Sequence, residues 1–226
     1  KKVCFSVKVH KIENTNKENV TTSSPFISDD ISESLKKLKK HKYVYFSTND
    51  SHIHLNIYYY KDEKLRVFLN KIIEAICFLF NLSEHNVKEC TINYYLVDNK
   101  KELQNKNYLI EHLTQKEVNS GSCSPGLINI WRKEEVLKVT IHEIIHLLDY
   151  DLKNIDTIVI EYYKKKYSVS SSNMNIYEAY TEIWANLINI YLIIKNQEQA
   201  KTLFAKYIEY EKFFVNYQAC KIFYIT

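Results

Sequence analysis

The segment Arg132–Asp151 constrains this chain more than any other. Val136, Leu137, Val139, Ile141, Ile144, Ile145, Leu147 and Leu148 cover most of the circumference of a helix drawn through it, and such a helix belongs inside a domain. Yet the same segment carries His142-Glu143-Ile144-Ile145-His146. Histidines at i and i+4 project from one face with Cβ atoms about 6 Å apart. Imidazoles in a dry setting are costly unless hydrogen-bonded or coordinated. The spacing lets both rings converge on one ion at Zn–N distances of about 2.0–2.1 Å, with Glu143 adjacent as base for an activated water. Val139, His142, His146 and Asp149 fall within about 80° on the helical wheel, so Asp149 is placed to orient a histidine or cap a nearby group. The bland alternative is an amphipathic core helix with two partly buried histidines, and a third ligand decides between the two.

That ligand is sought downstream, in Tyr177-Glu178-Ala179-Tyr180-Thr181-Glu182-Ile183-Trp184-Ala185-Asn186, which is helical by periodicity. Glu178 and Glu182 stand at i and i+4. Ala179, Ile183, Trp184, Leu187, Ile188, Tyr191 and Leu192 are expected to surround them with apolar surface. The connection from His146 is long enough to return this helix antiparallel to the first. The economical reading takes Glu178 as third ligand and Glu182 as acceptor for the N–H of a ligand histidine. Asp149, Asp151 and Glu161 are weaker acidic candidates.

The whole chain of 226 residues holds only 2 glycines, and both lie in Asn119-Ser120-Gly121-Ser122-Cys123-Ser124-Pro125-Gly126. A sequence this poor in glycine keeps it where a tight turn or a close backbone approach demands it. The alternation that follows, Leu127-Ile128-Asn129-Ile130-Trp131, predicts a short strand. Gly126–Trp131 is therefore the candidate edge offered to a substrate; a simple β-turn is the plainer reading of the glycine loop. Cys123 in that loop is read as inert, the alternative being an inhibitory thiolate on the metal.

Hydrophobic content of 46% and charged content of 26% place the chain among ordinary globular proteins. A net charge of +4 from 31 basic and 27 acidic residues is too balanced to argue for nucleic acid or an anionic membrane. Five scattered cysteines without a C-x-x-C pair do not form a disulfide framework, and they point to a reducing, cytoplasmic setting. No apolar stretch is long enough to span a bilayer, and oligomeric state does not follow from the sequence.

Elsewhere, Val3, Phe5, Val7 and Val9 alternate as in a strand, and Glu13–Ser28 reads as loop. Lys36–Lys42 reads as a solvated helix face. Tyr43–Ser47 and His52–Tyr60 flank Thr48-Asn49-Asp50-Ser51, a hairpin signal, with His52 and His54 on one exposed strand face. Asp62–Leu82 is a long helix by the spacing of Leu65, Leu69, Ile72, Ile73, Ile76 and Phe80, and Thr91–Val97 is a strand. The chain is expected to be α+β, with strands, hairpin and long helix in 1–115 and the metal-site part in 116–226, the two forming one compact domain.

His142-Glu143-Ile144-Ile145-His146-Leu147-Leu148-Asp149 with Glu178-Ala179-Tyr180-Thr181-Glu182-Ile183-Trp184-Ala185 resembles the gluzincin metallopeptidases, and more closely the catalytic domain of the anthrax lethal factor family. The strings Val118-Asn119-Ser120-Gly121 and Ile130-Trp131-Arg132-Lys133-Glu134-Glu135 are also similar to uncharacterised zincin-like proteins of large DNA viruses. The similarity covers roughly residues 91–192, and only the two ligand motifs are specific. The resemblance implies a zincin-like fold: a small mixed sheet with an edge strand, packed on a buried active-site helix, and a second ligand-bearing helix. It implies Zn2+ on His142, His146 and Glu178, Glu143 as general base, Glu182 in support, and a peptide or protein substrate. Two departures are Ile145, where that family often has glycine, and Ser171, where its oxyanion tyrosine would stand. Tyr177, Tyr180, Tyr163, Tyr167 and His112 are all chemically capable of that role. The competing readings are a zincin-fold binding protein with a structural or inactive metal site, and a helical interaction module with no metal.

Overall fold

The structure is a computed structural model that describes residues 7–16, 20, 26–48, 50–61, 65–84, 87–102, 114–151, 154–171 and 174–225. It is a mixed α+β protein. Strands β1 (Val7–Asn16), β2 (Lys40–Thr48), β3 (Ser51–Tyr59), β4 (Glu89–Tyr95), β5 (Gly121–Ser124) and β6 (Leu127–Trp131) form one six-stranded sheet in the order β1-β2-β3-β4-β6-β5. The first three strands are antiparallel, β3–β4 and β4–β6 are parallel, and β5–β6 is an antiparallel hairpin. Because β4 pairs with β6, the sheet runs unbroken across the 115/116 boundary.

A parallel step needs a crossover; a helix supplies the one from β3 to β4, and the short helix α3 (Gln115–Val118) lies between β4 and β5. Helix α2 (Leu65–Leu82) links β3 to β4 and buries Leu65, Leu69, Ile72, Ile76 and Phe80, the apolar series visible in the sequence. One face of the sheet is apolar by alternation: Val44 and Phe46, Ile53, Leu55 and Ile57, Cys90, Ile92 and Tyr94, Ile128 and Ile130. On it lie α2 and α4 (Val136–Leu147). The opposite side chains Tyr95 and Trp131, with Val97, pack on Ile31 and Leu35 of α1 (Asp29–Leu35) and on Leu38. A one-residue step along β6, from Ile130 to Trp131, thus moves a side chain from one core to the other. Beyond α4, α5 (Thr157–Tyr167), α6 (Ile176–Ile194) and α7 (Ala200–Ile225) complete the helical part. Among the described residues, no helix is long and apolar enough to cross a membrane.

Several expectations are corrected. Glu13–Asn16 and Lys40–Lys42 are strand, because β1 and β2 pair from Val7↔Thr48 to Asn16↔Lys40; ladder hydrogen bonds outweigh the polar composition. Val3, Phe5 and Asp62 lie outside the described residues. The metal helix is shorter than Arg132–Asp151: a 3₁₀ turn, Lys133–Glu135, precedes α4, and Leu148 ends it. The apolar surround expected for the second ligand helix is one-sided, since α6 buries Thr181, Ala185, Ile190 and Ile194 but leaves Ile183 59% and Trp184 44% exposed. Trp131 does not sit on an edge strand either, because β5 lies outside β6.

Arg132 explains how α4 is aimed. It has φ 74°, a left-handed conformation rare for a residue with a side chain, and is fully buried. Its guanidinium donates to Asn119 O at 3.2 Å and Lys116 O at 2.5 Å, which ties the approach to β5 to the start of α4. Asp30, Glu117, Glu134 and Glu135 supply opposite charge around it. Ser120 Oγ donates to Glu135 Oε2 at 2.9 Å across the same junction. Arg132→Met removes the donors and strands buried carbonyls, so it is expected to cost about 3 kcal/mol in denaturant unfolding and to speed amide exchange at residues 116–120.

Candidate metal centre and cleft

Helix α4 is held on the sheet partly by Thr140, whose Oγ1 lies 2.7 Å from Val136 O and 3.2 Å from the Tyr94 hydroxyl on β4. That fixes which face of α4 looks away from the sheet, and His142 and His146 are on it, opposite α6. The helices run antiparallel: Lys138 meets Glu182, His142 meets both glutamates, and His146 meets Glu178.

Both imidazoles are oriented by carboxylates at Nδ1. His142 Nδ1 lies 3.1 Å from Glu182 Oε2, and His146 Nδ1 lies 2.7 Å from Asp151 Oδ2. A carboxylate accepts, so Nδ1 carries the proton on each ring and the Nε2 lone pairs face inward. These Nε2 atoms are 3.0 Å apart, and Glu178 Oε2 is 3.4 Å from each. The two Nε2 atoms and Glu178 Oε2 therefore converge on one point, and in the metal-free site the raised His142 keeps a further proton there, shared with Glu178. Atoms bound to a tetrahedral ion at about 2.0–2.1 Å stand about 3.3 Å apart, so the triangle has the size that zinc ligands require. His142, His146 and Glu178 are the group among the described residues that could hold a metal ion. Two nitrogens and one carboxylate oxygen suit zinc and related transition ions; the geometry alone does not name the metal.

The electrostatics agree. Burial lowers the His142 pKa, but Glu178 and Glu182 outweigh it and hold the imidazole up at about 9. His146 is likewise raised by Glu178 and Asp151 against burial. Glu178, bonded to both histidines, is pulled down to about 2. Glu182 is also held near 2: burial opposes ionisation, but His142 and Lys138 overcome it. Glu143 moves the other way, because burial against Val139 and Gly121 pushes it up to about 7. In the metal-free site the Glu178 and Glu182 carboxylates are thus balanced by the two imidazoles and by Lys138.

A cleft of about 610 Å³ opens beside this triangle. His142, Glu143, His146, Tyr177 and Glu178 line one side, and Gly121, Ser122, Cys123, Ser124 and Pro125 line the other. A Cβ at Gly121 would fall inside the contact radius of Glu143 Oε1 and 2.7 Å from Val139 Cγ1. This glycine is present for close approach, because only a bare backbone lets β5 lie against Glu143. Gly126 serves the other purpose, the turn between β5 and β6, with φ 71°.

The structure brings together His142, Glu143, His146, Glu178 and Glu182. The candidate edge is relocated: of Gly126, Leu127, Ile128, Asn129, Ile130 and Trp131 none lines the cleft, and Gly121–Ser124 does. The residue on His146 is Asp151 and not Asp149. The wheel assumed helix through 149, but α4 stops at Leu147 and Asp149 turns to φ 53°. Asp149 lines the cleft, while the reversed chain carries Asp151, only 1% exposed, back under His146. An acidic residue just past the helix end was the available signal. Tyr177 lines the cleft with its ring 6.4 Å from that of His146, whereas Tyr180 packs on Trp184. Tyr163 stacks on Tyr167 within α5, and His112 lies outside the described residues. Lys138 is a site residue the sequence reading missed.

A metal ion held by the triangle should bind about 10–100-fold more weakly in Asp151→Asn and in Glu182→Gln, and should be lost in His142→Ala, by chelator competition. A metal ion bound there would displace the proton that the raised His142 holds, so its apparent affinity should climb as pH rises from 6 toward about 9 and level above that. By the same linkage, the pairing of His142 with the glutamates stabilises the metal-free protein fully below its ordinary pKa of 6.5 and is lost as pH passes about 9, which thermal melts of chelator-treated protein will reveal.

No protein-family model matches this chain, and no curated protein or solved structure is significantly similar to it, so the site stands on its own geometry.

Proposed function

We propose that this protein is a zinc-dependent metallopeptidase. The observation that carries the reading is the meeting, in one cleft, of a three-donor triangle, a buried glutamate beside it and a sheet edge along it. His142, His146 and Glu178 would hold the ion, which supplies a Lewis acid for the scissile carbonyl and acidifies water. Three protein donors would leave a coordination position open, as hydrolytic sites do and closed structural sites do not.

Glu143 is the general base. Its carboxyl sits next to the first ligand, and its pKa near 7 matches proton pick-up at neutral pH followed by donation to the leaving amine. β5 pairs with β6 on one side and faces the cleft on the other, so an extended peptide has main-chain partners at Gly121–Ser124. In this reading the scissile bond lies between the edge strand and the triangle. Tyr177, which lines the cleft, would be the donor to the developing oxyanion. The two ligand motifs that resemble the lethal factor family carry the same roles at His142, Glu143, His146, Glu178 and Glu182, whereas Tyr177 has no counterpart in that resemblance.

Glu143→Gln is expected to retain zinc by elemental analysis and to lose about 10²–10⁴-fold in the rate of peptide-library cleavage followed by mass spectrometry. Gly121→Ala, which pushes on Glu143 without touching a ligand, should likewise keep the metal and lose turnover. Zinc-loaded wild-type protein that cleaves nothing across the library would instead favour the binding-protein reading.

A further inference from the structure

Lys138, His142 and His146 lie at i, i+4 and i+8 on one face of α4, and α6 presents Glu182 and then Glu178 in the opposite direction. The two glutamates are chemically identical and one turn apart, and both reach His142. Their own chemistry does not decide which of them takes the metal. Their partners differ. Glu182 is held at both oxygens: Lys138 Nζ donates to Oε1 at 2.5 Å, and Oε2 accepts from His142 Nδ1 at 3.1 Å. Glu178 contacts the two Nε2 atoms through Oε2.

We propose that Lys138 is a positioning residue that assigns the two glutamates their roles. By occupying Oε1 of Glu182 it turns the other oxygen to the back of the His142 ring and keeps that carboxylate out of the metal's first coordination sphere. Glu178 would thereby be the sole carboxylate ligand. Lys138 also opposes a one-turn slip of α6 that would put Glu182 against both Nε2 atoms, since the slip would leave Lys138 unpaired and push Glu178 toward Asp149 and Asp151. The inference rests on the metal reading above and adds to it that a residue touching neither metal nor substrate selects the ligand.

The test is the zinc affinity of Glu178→Gln measured by chelator competition in three backgrounds. In the wild type the substitution is expected to cost on the order of 100-fold or more. In Lys138→Met, whose own affinity falls about tenfold, the same substitution should cost less than about tenfold, because the released Glu182 takes the vacant place. Lys138→Arg should restore the large cost. Lys138→Gln, which is shorter and uncharged, serves as the second variant if Lys138→Met fails to fold, and circular dichroism monitors both. A cost of Glu178→Gln that is the same in all backgrounds, as a purely structural lysine would give, overturns the proposal and leaves the metal reading intact. A wild-type protein that binds no zinc overturns both.

Discussion

Everything in the site depends on α4 being clamped between the sheet and α6. Its apolar residues Val136, Val139, Ile141, Ile144, Ile145 and Leu148 are buried with those of β6 and α2, and Thr140 reaches Tyr94 on β4. With those contacts in place α4 can neither rotate nor slide, so its remaining face is presented to α6 in one register. On that face the polar groups have few choices. His142 and His146 are mostly withdrawn from water, and their Nδ1 protons are taken by Glu182 and Asp151. The two Nε2 lone pairs and Glu178 Oε2 are then forced toward a common point. Dense packing converts an ordinary helical spacing into a preorganised acceptor triangle.

The same clamp governs the cleft. β5 lies directly against α4 because Gly121 has no side chain to hold it off, and Arg132 ties the entry to β5 to the start of the helix. Glu143 is buried by that approach, which is the cause of its raised pKa. Carboxylates of opposite behaviour thus share one site: Glu178 and Glu182 stay ionised beside imidazoles, while Glu143 holds a proton near neutrality. Such separation of titrating groups by environment is what acid–base chemistry requires.

Much of this was legible in the chain. The long helix α2, the β2–β3 hairpin and the short strand Leu127–Trp131 follow from apolar spacing and turn residues, because their side chains meet their partners at local periodicities. His142, His146 and Glu178 were legible because a ligand triangle on two helices needs i, i+4 on one of them. Asp151 was obscured because a helical wheel has meaning only while the helix continues, and the reversal at Asp149 lies outside it. The edge strand was misplaced for a related reason. Alternation marks a strand but says nothing about its neighbours, and the four-residue β5, with its serines and glycine, carries no alternating signal.

Chain order and residue chemistry by themselves determined that a buried helix here must carry two imidazoles, that a glutamate pair follows on another helix, and that the only glycines precede a strand. Those are local facts, set by periodicity and by the cost of burying polar groups. Tertiary structure decided which glutamate faces the Nε2 atoms, which aspartate stands behind His146, which strand is the edge, and that Lys138 belongs to the site. Each of these is a matter of register between elements distant in sequence, and register is set by packing across the whole domain, which no single segment encodes.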